Sequence, residues 1–207
     1  MRVGRAFSRA CLLFCTVAAG CVSSGTPPHV AAVVPPRMSA DAGTPATEPL
    51  AWSSRRPLAW SDFQGPATAD GDENARTVYN LSFESRCRGE AFTFTVTALF
   101  FPAESWVKAQ VLADRVAAVQ VLQHEQTHFD LTEVYARRMR RYFSGLYNPC
   151  GQTDEAINAA VERFAREEGE AQQRYEAETN HGLIANRQLG WTSDVSEMLT
   201  SLSEFAR

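Results

Sequence analysis

Apolar and polar residues alternate in two stretches of the chain, and each stretch predicts a half-buried β-strand. The stretches run from Thr77 to Phe83 and from Ala91 to Phe101. Their inward apolar members are Tyr79, Leu81, Phe83, Phe92, Phe94, Val96 and Ala98. A period of two places one face of each strand on a core. The short link contains Gly89, which favours an antiparallel hairpin. We expect a structural hairpin, and the alternative is an edge that binds an extended substrate.

Helical spacing replaces this alternation further along the chain. It predicts a long helix that begins between Glu104 and Asp114 and ends near Leu146, where Gly145 is a stop signal. The apolar stripe consists of Val116, Val119, Leu122, Leu131, Val134, Tyr135, Met139 and Tyr142. Four arginines crowd the last turns and predict a solvated basic end that complements the helix dipole: Arg137, Arg138, Arg140 and Arg141.

Two further helices are predicted downstream. Thr153 caps the first, which ends near Gly182, and Ser193-Asp194 caps a short one that packs on the core. The predicted fold class is therefore α+β, with a small antiparallel sheet or hairpin packed on the long helix, followed by two more helices.

The N-terminal segment differs in composition from the rest. Residues 1–21 combine basic residues with a short apolar run and predict an export signal that ends in a lipobox-like Cys21. Because Ala18 stands where a lipobox usually has Leu, ordinary signal cleavage is the alternative. Residues 22–50 are rich in Pro, Ala and Ser and predict a disordered tether, and residues 51–207 predict a single folded domain. We expect a cell-envelope location, either a periplasm-facing lipoprotein or a secreted protein, with membrane contact only through an N-terminal lipid anchor.

Cysteine usage agrees with export. Cys11 and Cys15 belong to the predicted signal and Cys21 would carry the lipid, which leaves Cys87 and Cys150 as an even pair. In an oxidising compartment the two would form a disulfide, and the alternative is two unpaired buried thiols.

Charge argues against nucleic acid as a partner. The chain has 20 basic and 24 acidic residues, and loss of the three arginines in the predicted signal would leave 17 basic residues and a net charge of −7. A protein that binds the negatively charged phosphate backbone of a nucleic acid usually has a positive net charge.

The long helix contains the motif His124-Glu125-Gln126-Thr127-His128. At about 100° per residue the two imidazoles lie about 40° apart on one face, with the Glu125 carboxylate about 80° to the side. Two imidazoles at this spacing bind Zn²⁺, and the carboxylate reaches the water beside the metal. The motif therefore predicts a zinc hydrolase with Glu125 as general base, although the same letters also arise by chance.

A catalytic zinc site needs a third protein ligand and an open fourth position. Asp130 and Glu133 point roughly 140° and 160° away from the histidines on a straight helix, so we expect them to bond to neighbouring elements. The third ligand should come from the second helix. We predict His181, with Glu178 as the alternative, since both residue types bind zinc.

Hydrolysis of a peptide or protein substrate also needs a donor for the developing oxyanion. Tyr135 lies on the same helix face as the histidine pair, and Tyr175 lies close to the predicted third ligand. Both are candidate catalytic residues, and ordinary core packing is the alternative for each.

Two other functions are compatible with these residues. Glu125 with His128 and Glu178 with His181 form two Glu-x-x-His pairs, the pattern of a di-iron carboxylate protein. A non-catalytic envelope lipoprotein is the third possibility.

Three blocks of the chain resemble the bacterial family of predicted secreted zinc-dependent proteases, long classified as a domain of unknown function. The blocks are Leu58-Ala-Trp-Ser-Asp-Phe63, Gln123-His-Glu-Gln-Thr-His-Phe-Asp-Leu-Thr-Glu133 and Tyr175-Glu-Ala-Glu-Thr-Asn-His-Gly182, with Gln188 and Trp191 beyond them. The resemblance covers roughly residues 55–195 and implies a zincin-like metallopeptidase. The family more often has Asp at the position of Glu176, which leaves the role of this carboxylate open.

Overall fold

The computed structural model describes residues 48–67 and 73–206. Its strands are β1 (Leu50–Ala51), β2 (Ala75–Arg76), β3 (Tyr79–Arg88), β4 (Ala91–Phe100) and β5 (Trp106–Val107), and its α-helices are α1 (Ala109–Ala113), α2 (Arg115–Ser144), α3 (Asp154–Thr179) and α4 (Ala185–Ser201). The predicted α+β class is confirmed. The predicted signal, the Cys21 lipidation site and residues 22–47 of the tether lie outside the described ranges.

Strands β3 and β4 form the predicted antiparallel hairpin. Their register runs from Tyr79 opposite Phe100 to Arg88 opposite Ala91. Strand β3 extends five residues beyond its predicted end at Phe83, so the link is only two residues, and Gly89 takes a φ of 61° in it. A two-residue turn of this kind favours glycine because its backbone is left-handed. The short strand β1 pairs with the other side of β4, and β2 pairs with β5 in a separate two-stranded sheet.

Helix α2 occupies the centre of the fold. One face of the three-stranded sheet packs on it, and α3 and α4 pack on its other side. Leu131, Val134 and Met139 are almost completely buried between these layers. Phe63 is buried and Trp60 packs against the same core.

The helical region begins within the predicted window, at Ala109, but Asp114 interrupts it. The Asp114 backbone is extended, and its carboxylate accepts hydrogen bonds from the backbone N–H groups of Val116 and Ala117 at 2.8 and 3.2 Å. This N-cap starts a new helix, α2, which ends before Gly145 as predicted.

Two parts of the helix prediction are wrong. Val116 and Val119 were expected in the buried stripe, but they are 66% and 69% exposed, because the core does not extend over this face of the first turns of α2. Arg137 and Arg140 were expected in solvent, yet both are buried, because Glu133 accepts hydrogen bonds from each guanidinium group.

The start predicted for the last helix is also wrong. Helix α4 begins at Ala185, so the predicted cap Ser193-Asp194 lies in its middle. Gln188 and Val195 are buried on the inner face of α4, and this tertiary packing extends the helix through the local cap pattern.

The predicted disulfide between Cys87 and Cys150 is present, across a sequence separation of 63 residues. It joins the far end of β3 to the connection between α2 and α3. Among the residues described, none of the helices combines the length and the apolar character needed to cross a membrane.

Candidate metal centre

Helices α2 and α3 bring three potential metal ligands together. The Nε2 atoms of His124 and His128 lie 3.2 Å apart. Oε1 of Glu176 lies 2.8 Å from Nε2 of His128 and 3.5 Å from Nε2 of His124. In the described part of the chain, these three residues form a group whose potential ligand atoms all lie within 4.8 Å of one another. Tetrahedral zinc with bonds of about 2.0–2.1 Å has ligand atoms about 3.3–3.4 Å apart, so these separations fit one ion.

Two glutamines fix the orientation of the imidazoles. Nδ1 of His124 lies 3.0 Å from Oε1 of Gln188, and Nδ1 of His128 lies 2.7 Å from Oε1 of Gln172. The other amide atoms support this assignment, because Gln172 donates through Nε2 to the His128 carbonyl and Gln188 donates through Nε2 to Thr192. Each Nδ1 therefore carries a proton and donates it, and in the neutral rings both Nε2 lone pairs face the cluster.

Tyr175 packs directly on the cluster. Its ring stacks on His124 with the ring centroids 4.8 Å apart. Its hydroxyl donates to Oε1 of Gln188 at 2.8 Å and lies 3.1 Å from the carbonyl oxygen of His124. The pKa of the hydroxyl is raised, mainly by burial, so the group stays a donor. These contacts support the packing interpretation of Tyr175, because its proton is directed at Gln188 and the His124 backbone.

Tyr135 lies elsewhere. It follows His128 by seven residues on one continuous helix, which places it about 10 Å further along the axis. The guanidinium carbon of Arg138 lies 4.9 Å from the centre of its ring. The sequence placed Tyr135 on the correct face of α2 but did not account for this axial distance.

Neither predicted third ligand joins the three-residue cluster. The His181 side chain is 71% exposed, and its Nδ1 lies 2.7 Å from Oε2 of Glu176, the carboxylate oxygen that does not face the histidines. Glu178 is exposed and accepts a hydrogen bond from Nε1 of Trp191 at 2.9 Å. The third residue of the cluster is Glu176, whereas the sequence predicted His181 or Glu178 as the third ligand. The cause is the end of α3, where His181 has left the helix and Glu178 points toward α4.

The carboxylate of Glu176 and the nearby imidazoles shift the pKa values of one another. Burial alone would raise the pKa of Glu176, but hydrogen bonds from His124 and His128 and their positive charge hold it well below its ordinary value. Burial alone would lower the pKa of His128, but Glu176 and, more weakly, the negative charge of Glu125 raise it. Glu176 and His128 therefore each favour the charged form of the other.

Glu125 is 4% exposed and follows His124 directly in α2. Burial mainly raises the pKa of Tyr79 and would lower that of His128, and the charge of Glu125 makes a smaller contribution that raises both. Asp130 and Glu133 bond away from the centre, as predicted. Trp52 and Gln126 donate to Asp130 at 2.7 Å each, while Glu133 pairs with the buried arginines.

Sequence reasoning assigned no role in the site to Tyr79, Gln172, Gln188 or Glu176. Tyr79 belongs to the edge strand β3, and its ring stacks on His128 with the centroids 6.2 Å apart. Glu176 was left without an assigned role. The available signal was a row of polar residues at intervals of four on α3, namely Glu168, Gln172 and Glu176.

The fold and the site together define an α+β protein with a partly buried His-His-Glu cluster between two helices. The chain belongs to the family DUF922, described as a bacterial protein of unknown function, whose model matches residues 58–182 and so includes all three cluster residues. Comparison with curated proteins and with solved structures gave no significant match.

Proposed function

We propose that the protein is a zinc-dependent metallopeptidase whose metal is held by His124, His128 and Glu176. The observation that carries this proposal is the convergence of two Nε2 atoms and one carboxylate oxygen within 3.5 Å of one another. Both Nδ1 atoms are already committed as donors to glutamine. Neutral imidazoles oriented in this way direct two lone pairs and an anion at one point, which only a cation satisfies.

The donor set favours zinc over other divalent ions. Imidazole nitrogen suits zinc, while calcium and magnesium prefer sites made of oxygen alone. Two histidines and one glutamate also form a known catalytic zinc set, which leaves a fourth position for water or substrate. The partial exposure of the Glu176 side chain, at 30%, is consistent with access from one side.

Glu125 supplies the base in this proposal. Zinc in such a site lowers the pKa of a water molecule and polarises a carbonyl group. The Glu125 carboxylate would accept the proton of the attacking water and return it to the leaving amine. This role is supported by its burial and by its position next to His124 in α2, since the His-Glu-x-x-His pattern places a base beside the metal that is not itself a ligand.

The cellular setting is part of the proposal. The Cys87–Cys150 disulfide suits an oxidising compartment such as the bacterial periplasm. A signal over residues 1–21 and a lipid on Cys21 would hold the domain at the cell envelope, where the substrate would be a peptide or a protein.

The di-iron alternative gains no support. It requires Glu125, His128, Glu178 and His181 to face one space. Glu178 instead binds the indole of Trp191, and His181 is largely exposed.

The deciding experiment compares the zinc-loaded wild type with Glu125→Gln on an unfolded protein substrate. We expect one zinc per chain in both proteins by elemental analysis, and a loss of at least about 100-fold in kcat for the variant. Glu170→Gln, an exposed change on α3, is the matched control and should retain full activity. A wild type that binds no metal would overturn the proposal. Unchanged function in Glu125→Gln would favour a non-catalytic protein.

A further inference from the structure

The chain leaves α3 through three consecutive residues with left-handed backbone. The φ angles of Asn180, His181 and Gly182 are 47°, 55° and 78°. Asparagine and glycine adopt this conformation readily, but for a residue such as histidine it costs on the order of 1 kcal/mol or more. We call residues 180–182 the left-handed turn. Its central position carries an energetic cost that asparagine or glycine would reduce.

The left-handed turn is fixed by hydrogen bonds to the end of α3. The backbone N–H of His181 donates to the carbonyl of Glu176 at 3.1 Å, and that of Gly182 donates to the hydroxyl of Thr179 at 3.2 Å. The N–H of Ile184 returns to the Thr179 carbonyl at 2.8 Å. These bonds fix the position of the backbone that carries the His181 side chain.

The turn also rests against the metal centre itself. A Cβ atom at Gly182 would lie 3.1 Å from Cγ and from Nδ1 of His124, which is closer than ordinary contact. Glycine is therefore needed at position 182 for two reasons, its positive φ and its close approach to a metal-binding ring. The backbone before it places His181 at the rim of the same site.

The His181 imidazole is anchored at one end and exposed at the other. Its Nδ1 lies 2.7 Å from Oε2 of Glu176, while its side chain is 71% exposed. Since Oε1 of Glu176 faces the two histidines, the imidazole of His181 is separated from the metal position by one carboxylate group. Helix termination requires no imidazole here, because Asn180 and Gly182 already provide the left-handed residues.

We propose that the imidazolium form of His181 contacts the substrate. Its Nδ1–H faces Oε2 of Glu176, and its Nε2–H donates a hydrogen bond to the scissile carbonyl oxygen as negative charge develops there. This role rests on the peptidase function proposed above. It fills a position that the tyrosines of the initial hypothesis leave open, since the Tyr175 hydroxyl is engaged with Gln188 and Tyr135 lies too far along α2. A donor held beside the reacting centre before the substrate arrives stabilises the transition state more than the ground state.

The test uses His181→Asn in the full chain, loaded with zinc. Asparagine accepts the left-handed backbone, so the variant removes the imidazole without adding strain. Glu178→Gln is the matched control on the neighbouring exposed acid. Tyr79→Phe tests the hydroxyl of the tyrosine whose ring stacks on His128. Three quantities are measured: zinc per chain, kcat and KM on a peptide, and the Kd of a phosphinic peptide that imitates the tetrahedral intermediate.

We expect His181→Asn to keep its zinc and its KM, to lose about 100-fold to 1,000-fold in kcat, and to bind the phosphinic peptide correspondingly less tightly. His181→Gly should repeat the result if the asparagine variant folds poorly. A large loss of zinc affinity would instead make His181 a ligand or a support for Glu176 and overturn the proposal. Unchanged kcat in His181→Asn, with the loss found in Tyr79→Phe, would assign the donor to Tyr79.

The phosphinic peptide separates this proposal from the peptidase function. If the wild type hydrolyses no peptide but binds the phosphinic peptide in a His181-dependent way, the peptidase function fails and the contact made by His181 stands. If the zinc-loaded wild type does not bind the phosphinic peptide, the role of His181 fails. Hydrolysis that is independent of His181 would overturn the His181 proposal alone.

Discussion

Oε1 of Glu176 lies 2.8 Å from Nε2 of His128, and this contact connects the centre of α2 to the last turns of α3. The carboxylate stays ionised because the two imidazoles hold its pKa well below its ordinary value, against the opposing effect of burial. A proton bound to His128 and a metal ion bound at the cluster would each neutralise the negative charge of the Glu176 carboxylate. Metal binding should therefore displace that proton, as is usual where imidazole is a ligand.

Replacement of Glu176 by Ala should weaken zinc binding by more than about 100-fold, since even the loss of a partner that only supports a ligand costs 10-fold to 100-fold. Competition with a chelator of known affinity provides the measurement. Glu178→Gln should bind zinc like the wild type. If Glu176→Ala kept its affinity while His181→Ala lost it, the third ligand would be His181, as the sequence predicted.

The two glutamines that orient the histidines should matter nearly as much as a ligand. Gln172→Ala and Gln188→Ala each remove the acceptor for one Nδ1–H group, at 2.7 and 3.0 Å. We expect each to lower zinc affinity by about 10-fold to 100-fold. Gln173→Ala, on the exposed face of α3, should have no effect. Equal zinc affinities in all three variants would show that packing alone orients the imidazoles.

The sequence correctly predicted those features that depend on the spacing of residues within one helix or strand. The spacing of His124 and His128 determines their common face in any helix, and alternation over residues 77–101 determines the hairpin. The even pair Cys87 and Cys150 followed from the compartment, and the structure confirms it. Each of these inferences uses spacing within one element or one simple count.

The third member of the cluster depends on how two helices pack, which no local pattern records. Histidine is the commoner zinc ligand, so the single remaining histidine of the domain was preferred over a glutamate. The left-handed turn directs His181 outward, and the polar row on α3 presents Glu176 instead. The prediction of where α4 begins was wrong for a similar reason, because packing of the buried Gln188 extends the helix to residues before the predicted cap.

Glu168 should make the metal-free protein less stable as the pH rises. It is 1% exposed, its Oε2 has no hydrogen-bond partner, and burial raises its pKa. The folded state therefore binds this proton more tightly than the unfolded state. Its contribution to stability is complete below the ordinary carboxyl pKa of about 4.3 and is lost as the pH rises through the raised value.

Glu168→Gln removes this loss, so the variant should gain stability relative to the wild type as the pH rises above the ordinary carboxyl pKa of about 4.3, by about 1.4 kcal/mol for each unit of the shift. Urea denaturation at several pH values gives the difference. The comparison cancels the contributions of Glu176 and Asp130, whose pKa values are also displaced. A difference that stays constant with pH would show that Glu168 has no shifted pKa.

The buried charges on the opposite face of α2 should determine stability without affecting the metal. Glu133 accepts from Nε of Arg137 at 3.0 Å and from Nη1 of Arg140 at 2.9 Å. Arg140 also donates to the carbonyls of Val96 and Phe205, so the group joins the sheet to the C-terminal segment. Glu133→Ala would leave two buried guanidinium groups without their anion.

We expect Glu133→Ala to lower the free energy of unfolding by about 3–5 kcal/mol, because a buried ion pair that loses one partner leaves an uncompensated charge. Glu197→Ala, an exposed change on α4, is the control and should cost less than about 0.5 kcal/mol. Zinc affinity, measured at a temperature where the variant is folded, should match that of the wild type. A large loss of affinity would mean that this charged group also positions the histidines. In that case the two faces of α2 would be coupled, and the carboxylate that the helix geometry excludes as a ligand would act on the site through the helix itself.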